Sequence, residues 1–186
     1  MSGKLLANWP WLAATLVVAL AVHLTSVVLL PHVVMSRALD RLTRRADFNT
    51  ISHGTRPNSD SRAIVRPSPD LLYSTCPYDL SRGPLLVWAR VPRGTYWSVS
   101  AFDANTNNFF VRNDRQAANG EVHLVLTPPD QDKQPVVKGA IRVSSPTMRG
   151  LVLMRTLIND DANLPEIDAE RRQARCDTWR ASRRHG

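Results

Sequence analysis

The sequence predicts a mainly β protein: a single N-terminal transmembrane helix, then a jelly-roll-like or β-sandwich domain, then a C-terminal helix. Three observations lead there. No charged side chain occurs from Leu5 to Ser36. Beyond residue 60, short apolar runs with a period of two recur between Gly, Pro, Asn and Asp. Near the end, Pro165 is followed by Glu166, Asp168 and Glu170 and then by arginines, the charge order of a helix complementing its own dipole.

The uncharged run comes first. A bilayer core about 30 Å thick needs roughly 20 apolar residues of helix, and Trp9 to Met35 supplies them. Trp9 and Trp11 sit where indole rings favour the headgroup layer, Pro10 falls in the first turn, and Pro31 marks a kink or the helix exit. His23 lies mid-span and reads as a neutral imidazole bonded to a backbone carbonyl or to another anchor. A cleaved signal peptide is the competing reading, with Ala19-Leu20-Ala21 as the cleavage site. Cleavage there would leave an apolar N-terminus, and the run exceeds a signal-peptide core, so an uncleaved anchor is expected. The chain divides into an anchor (1–35), a juxtamembrane helix and linker (36–60), a β domain (61–160) and a basic C-terminal helix and tail (161–186).

Leu39, Leu42 and Ala46 with arginines between them suggest a short amphipathic helix leaving the membrane. Asn49 to Asp60, rich in Ser, Thr, Asn, Gly and Pro, reads as a linker. Strands are expected at 63–66, 71–80, 85–91, 95–102, 108–112, 122–126, 136–137, 140–143 and 151–158. Pro77 places the second of these at an edge or bend. In the fourth, Tyr96, Ser98, Ser100 and Phe102 share one face, and Trp97, Val99 and Ala101 share the other. Short strands spaced by such turns indicate a sandwich or jelly-roll-like body. The final helix is expected from Pro165 to about Arg183.

The net charge of +8 suits anionic lipid headgroups beside the anchor better than nucleic acid, because the aromatic-plus-basic motifs of nucleic-acid binding are absent. Five dispersed histidines and two isolated cysteines give no metal site, and no cofactor motif is legible. Cys76 and Cys176 are either one disulfide or two free thiols. As a disulfide closing so long a loop, they would contribute about 4–5 kcal/mol in the chain-entropy model. No phosphate loop, zinc-protease helix or nucleophile elbow appears, so no catalytic residue is assigned.

Three phrases carry a resemblance: Pro67-Ser68-Pro69-Asp70-Leu71-Leu72-Tyr73-Ser74, then Asp79-Leu80-Ser81-Arg82-Gly83-Pro84, then Asp103-Ala104-Asn105-Thr106-Asn107-Asn108-Phe109. In order and spacing they resemble the bacterial domain of unknown function 1254 family. Ser68, Leu71 and Ser100 depart from its pattern. The resemblance implies an exported jelly-roll-type domain without an agreed activity. It also implies the short, membrane-anchored branch without the 1214 domain, and hence a partner chain of the 1214 type.

The expected function is a non-enzymatic, membrane-tethered domain at a bacterial inner membrane, facing the periplasm. Arg37, Arg41, Arg44 and Arg45 just after the span oppose that orientation. Asp70, Tyr73, Asp103 and Asn107 form a candidate polar pocket for a sugar-like or phosphate-like ligand; the same residues also serve as turn and corner structure. Two alternatives stand beside this reading: a glycan-active hydrolase or lyase using Asp70 and Asp103, and a cytoplasm-facing lipid-surface or nucleic-acid-binding domain.

Overall fold

The computed structural model describes residues 8–62, 66–129, 131 and 139–179. It opens with helix α1 (Trp9–Thr43), 35 residues or about 52 Å long at 1.5 Å per residue. Its mean hydropathy reaches 2.3, and it is long and apolar enough to cross a membrane. Leucines and valines from Leu12 to Val34 are exposed along it. Pro31 is not the exit: the helix runs through it to Thr43, taking in most of the expected juxtamembrane helix. The last turns are no free stalk. Met35, Ala38 and Leu39 are buried, where α1 packs on strands β2 and β8 of the domain that follows.

That domain is two sheets facing each other. Strands β1 (Ser52–His53), β2 (Leu71–Asp79), β8 (Arg149–Leu157), β4 (Trp97–Phe102) and β5 (Asn108–Asn113) form sheet A in the order β1-β2-β8-β4-β5, antiparallel throughout. Sheet B is β7-β6-β3-β9, built from β3 (Leu85–Arg90), β6 (Glu121–Thr127), β7 (Ile141–Ser144) and β9 (Arg175–Thr178), with β6 and β7 parallel. The chain also forms helix α2 (Leu164–Arg171).

Period-two alternation builds the core between the sheets. Cys76 and Tyr78, Trp97, Val99 and Ala101, and Val152 and Met154 point inward from sheet A. They meet Leu85, Val87 and Ala89, Val122, Leu124 and Leu126, and Cys176 from sheet B. A smaller cluster of Leu72, Ile158 and Ile167, with Leu164 against it, seats α2. Gly150 is a packing requirement: a Cβ there would overlap Phe102 O and Tyr78 Oη, its neighbours on the flanking strands.

The described residues correct three expectations. The stretch 49–60 is not all linker, because β1 pairs with Thr75 and Ser74 of β2. The final helix ends at Arg171 instead of running on, and Arg175–Thr178 pairs with β3 as an edge strand. An inward Cys176 opposite Val87 explains that strand: packing the core outweighs helix propensity in an arginine-rich stretch. The strand at 71–80 lies between β1 and β8, and at its Pro77 end β1 does not reach. The strands expected at 136–137 and at residues 63–65 fall outside the described residues, as does the stretch from Arg180 to Arg183.

Candidate functional site

Asp103 and Asn107 are brought together, and they close on each other. Asp103 leaves β4 with 2% exposure; its Oδ1 accepts Asn105 N–H at 2.8 Å and Asn107 N–H at 2.9 Å. Its Oδ2 accepts Asn107 Nδ2–H at 3.0 Å. This is an Asx-type turn that holds Thr106 at φ +66°, a left-handed conformation a β-branched residue rarely adopts. The turn faces α1, where Asn105 Oδ1 meets His32 Nδ1 at 2.8 Å. Three of the roughly four acceptor sites of the Asp103 carboxylate are thereby taken up inside the turn, and the residue is buried.

Asp70 and Tyr73 lie at the other end of sheet A. Leu71 pairs with Leu157, whereas Phe102 pairs with Leu151. At about 3.4 Å per residue along β8, Asp70 and Asp103 are roughly 25 Å apart. Paired carboxylates that share acid–base work stand within about 10 Å of each other. The four residues therefore do not assemble one pocket, and the two acids do not form a catalytic pair. Tyr73 Oη instead accepts Ser68 N–H at 3.0 Å, and the Asp70 carbonyl accepts Ile158 N–H at 2.8 Å.

Asp79, in the second of the quoted phrases, behaves as turn chemistry requires. Its Oδ1 accepts Ser81 N–H at 2.9 Å, its Oδ2 accepts Arg149 Nε–H at 2.8 Å, and the Arg149 guanidinium stacks 5.2 Å over Phe48. Burial works against the Asp79 carboxylate, but the Ser81 and Arg149 hydrogen bonds outweigh it and hold its pKa below the usual value. Tyr78, across the strand, is sealed between Phe102 O at 3.2 Å and Ser145 Oγ at 2.8 Å; burial pushes its phenol up to about 12, against the Ser145 hydrogen bond. Cys76 and Cys176 are joined as a disulfide between β2 and β9, tying sheet A to sheet B over a sequence separation of 100.

A further polar cluster lies outside the residues that the sequence singles out. Arg171, 3% exposed on α2, donates from Nη1 to Tyr73 O and Ser74 Oγ, each at 3.2 Å, and from Nη2 to Gly54 O at 2.7 Å. Its Nε donates to Asp168 Oδ1 at 2.6 Å. Ser74 Oγ lies 2.8 Å from His53 Nδ1. Burial and then the Arg171 and Arg172 charges push the His53 pKa down, so its imidazole is neutral near pH 7. Asp168 keeps a lowered pKa because its bonds to Arg172 and Arg171 outweigh burial. A serine beside a neutral histidine has the composition of a nucleophile and base. Ser74 is only 2% exposed, however, and Arg171 occupies its other side, so the cluster acts as a lock joining β1, β2 and α2. One signal in the sequence pointed to it: Ser74 falls in register between inward Leu72 and Cys76, and a buried hydroxyl needs a partner. Nothing marked Arg171 among the six arginines of the tail as the partner. Among the described residues, no group of three or more His, Cys, Asp or Glu side chains could hold a metal ion.

A family model described as "Protein of unknown function (DUF1254)" matches residues 48–178. No curated protein matches the chain. Among solved structures, the chain is similar to the VPA0106 protein from Vibrio parahaemolyticus, at 14% identity and a TM-score of 0.56, over 80% of this chain and 37% of that one. It is also similar to an uncharacterized protein from Burkholderia cenocepacia, at 16% identity and a TM-score of 0.47, over 64% of this chain and 34% of that one. The first likeness concerns the fold alone. The chain spans little more than a third of the length of either solved relative.

Proposed function

The chain belongs to the DUF1254 family of proteins of unknown function, and from that membership we propose that it is a membrane-tethered binding or structural module that works with a partner chain. The observation that carries this reading is the junction between helix and domain. Apolar α1 is exposed down to Val34, and from Met35 onward it is packed into the sheets. A rod seated in this way sets the domain against the bilayer surface, with the 103–107 turn beside it, instead of leaving the domain on a loose stalk.

In this reading α1 anchors the chain in a bacterial inner membrane, and the two-sheet body, jelly-roll-like in the way the chain switches sheets, stands in the periplasm. The Cys76–Cys176 disulfide suits that oxidising side. Arg37, Arg41, Arg44 and Arg45 then lie within about 15 Å of the bilayer surface, close enough to meet anionic headgroups. The proposed partner is a chain of the 1214 type, the companion that the family resemblance implies. The wide separation of Asp70 and Asp103 leaves the glycan-hydrolysing alternative without its acid pair.

Purification of the tagged full chain from membranes solubilised in a mild detergent tests the partnership. The expected result is a second polypeptide in stoichiometric amount that stays with the tagged chain through size exclusion. A particle containing only this chain would overturn it.

A further inference from the structure

The outer face of sheet A, opposite the core, carries a polar row that the tether and the lock do not use. Strand register aligns Tyr73 on β2, Arg155 on β8 and Ser98 on β4, and Ser100 lies in the next row toward α1. These side chains alternate with the core-facing Cys76, Met154, Val99 and Ala101, so they stand on the far side of the sheet.

Ser98 and Ser100 form the floor of the row, each 1% exposed. Ser98 Oγ is buried and makes no hydrogen bond to any described group, and Arg155 Nε is in the same condition. The contact of Arg155 with this floor is weak: Nη2 to Ser100 Oγ at 3.4 Å. No carboxylate among the described residues comes within ion-pair distance of Arg155, whereas Arg90, Arg149, Arg171 and Arg172 each have one. A partly buried guanidinium with an unmet donor, beside an unmet hydroxyl, is the donor set that carboxylates and phosphates match with two parallel bonds. Buried polar groups are otherwise nearly always paired, yet three orphans share this row: Ser98 Oγ, Arg155 Nε and, opposite Ser98 on β5, Asn113 Oδ1. The row is thus a polar site in which the guanidinium and the hydroxyl lack an acceptor.

We propose that this row is a binding site for the anionic group of a small ligand, a carboxylate or a phosphate, held by Arg155 with Ser98 and Ser100 as further donors. The chain's positive net charge favours such a ligand at a distance, and the row sets its position.

The test uses the full chain in detergent micelles with 15N-labelled arginine. Inorganic phosphate and, separately, acetate are titrated at constant ionic strength while the Nε–H resonances are followed. The Arg155 resonance is expected to shift saturably with at least one of the two anions, and the one that does so names the ligand class. Exposed Arg175 should show only a weak linear drift. Arg155→Gln should weaken binding at least tenfold and Ser98→Ala several-fold, both read by calorimetry. Ser100→Asp retains Arg155 and gives it an internal carboxylate, so it should abolish binding in a protein that still folds. The proposal is overturned if neither anion saturates, if Arg175 responds as Arg155 does, or if Ser100→Asp binds phosphate or acetate as the unaltered chain does.

Discussion

At the scale of single residues, two positions translate geometry into measurable stability. Gly150 lies against Tyr78 Oη and Phe102 O with no room for a methyl group. Gly150→Ala must push Tyr78 off Ser145 or open the β4–β8 pairing, and should lower unfolding stability by about 3 kcal/mol or more, measured by urea titration. His53 acts through pH. Its folded-state pKa lies below its ordinary value of 6.5 because of burial and then the Arg171 and Arg172 charges, while Asp168 pulls the other way. The unfolded chain therefore binds the proton more readily. The stabilisation is complete above about pH 6.5 and is lost as pH falls toward the lower folded value. The thermal midpoint of the unaltered chain should drop across that window, and in His53→Gln the slope should flatten. Beside these residues, the Asx turn at Asp103 was legible in the sequence because the Asp of Asp103-Ala104-Asn105-Thr106-Asn107 can satisfy the backbone of the following residues locally. Gly150 and Arg171 were not legible, since their constraints come from Tyr78, Ser74 and Gly54, distant in sequence.

At the scale of elements, α2 shows how much one side chain can hold. Arg171 satisfies two carbonyls, a hydroxyl and a carboxylate on three separate segments. Arg171→Leu takes the donor from Gly54 O and one of two partners from Tyr73 O, Ser74 Oγ and the Asp168 carboxylate, and should destabilise the domain by about 3 kcal/mol. Hydrogen exchange should then show β1 opening first, since two residues paired to β2 give it little else. Exchange that rises evenly over both sheets would show that the lock is not local. The strands between Leu71 and Phe102 were readable because Gly83-Pro84 and Pro92-Arg93-Gly94 punctuate them and an apolar residue falls on every second position. Strand β1 was not readable: it is two polar residues long and exists only because β2 offers an edge. Strand β9 was masked by arginines that suit a helix terminus, and its identity comes from Cys176 reaching the core opposite Val87.

At the scale of the whole molecule, two sheets and one long helix form a single body. Leu5 to Ser36 announced the helix because uncharged length is a direct requirement of the bilayer core. The sequence did not show where the helix meets the domain. Met35 reads as the end of an anchor and Leu39 as part of a juxtamembrane helix, but together with Ala38 they are the start of the domain's packing. In the proposed reading that seat makes α1 a tether that positions the domain and does not merely retain it; the 103–107 turn lies next to His32. The arginines after Ser36 argue for a cytoplasmic domain, whereas the inter-sheet disulfide argues for an exported one. Alkaline phosphatase and green fluorescent protein fused in turn to the C-terminus of the full chain decide between them. The account expects phosphatase activity and no fluorescence, as on the periplasmic face; bright fluorescence with an inactive phosphatase would contradict it.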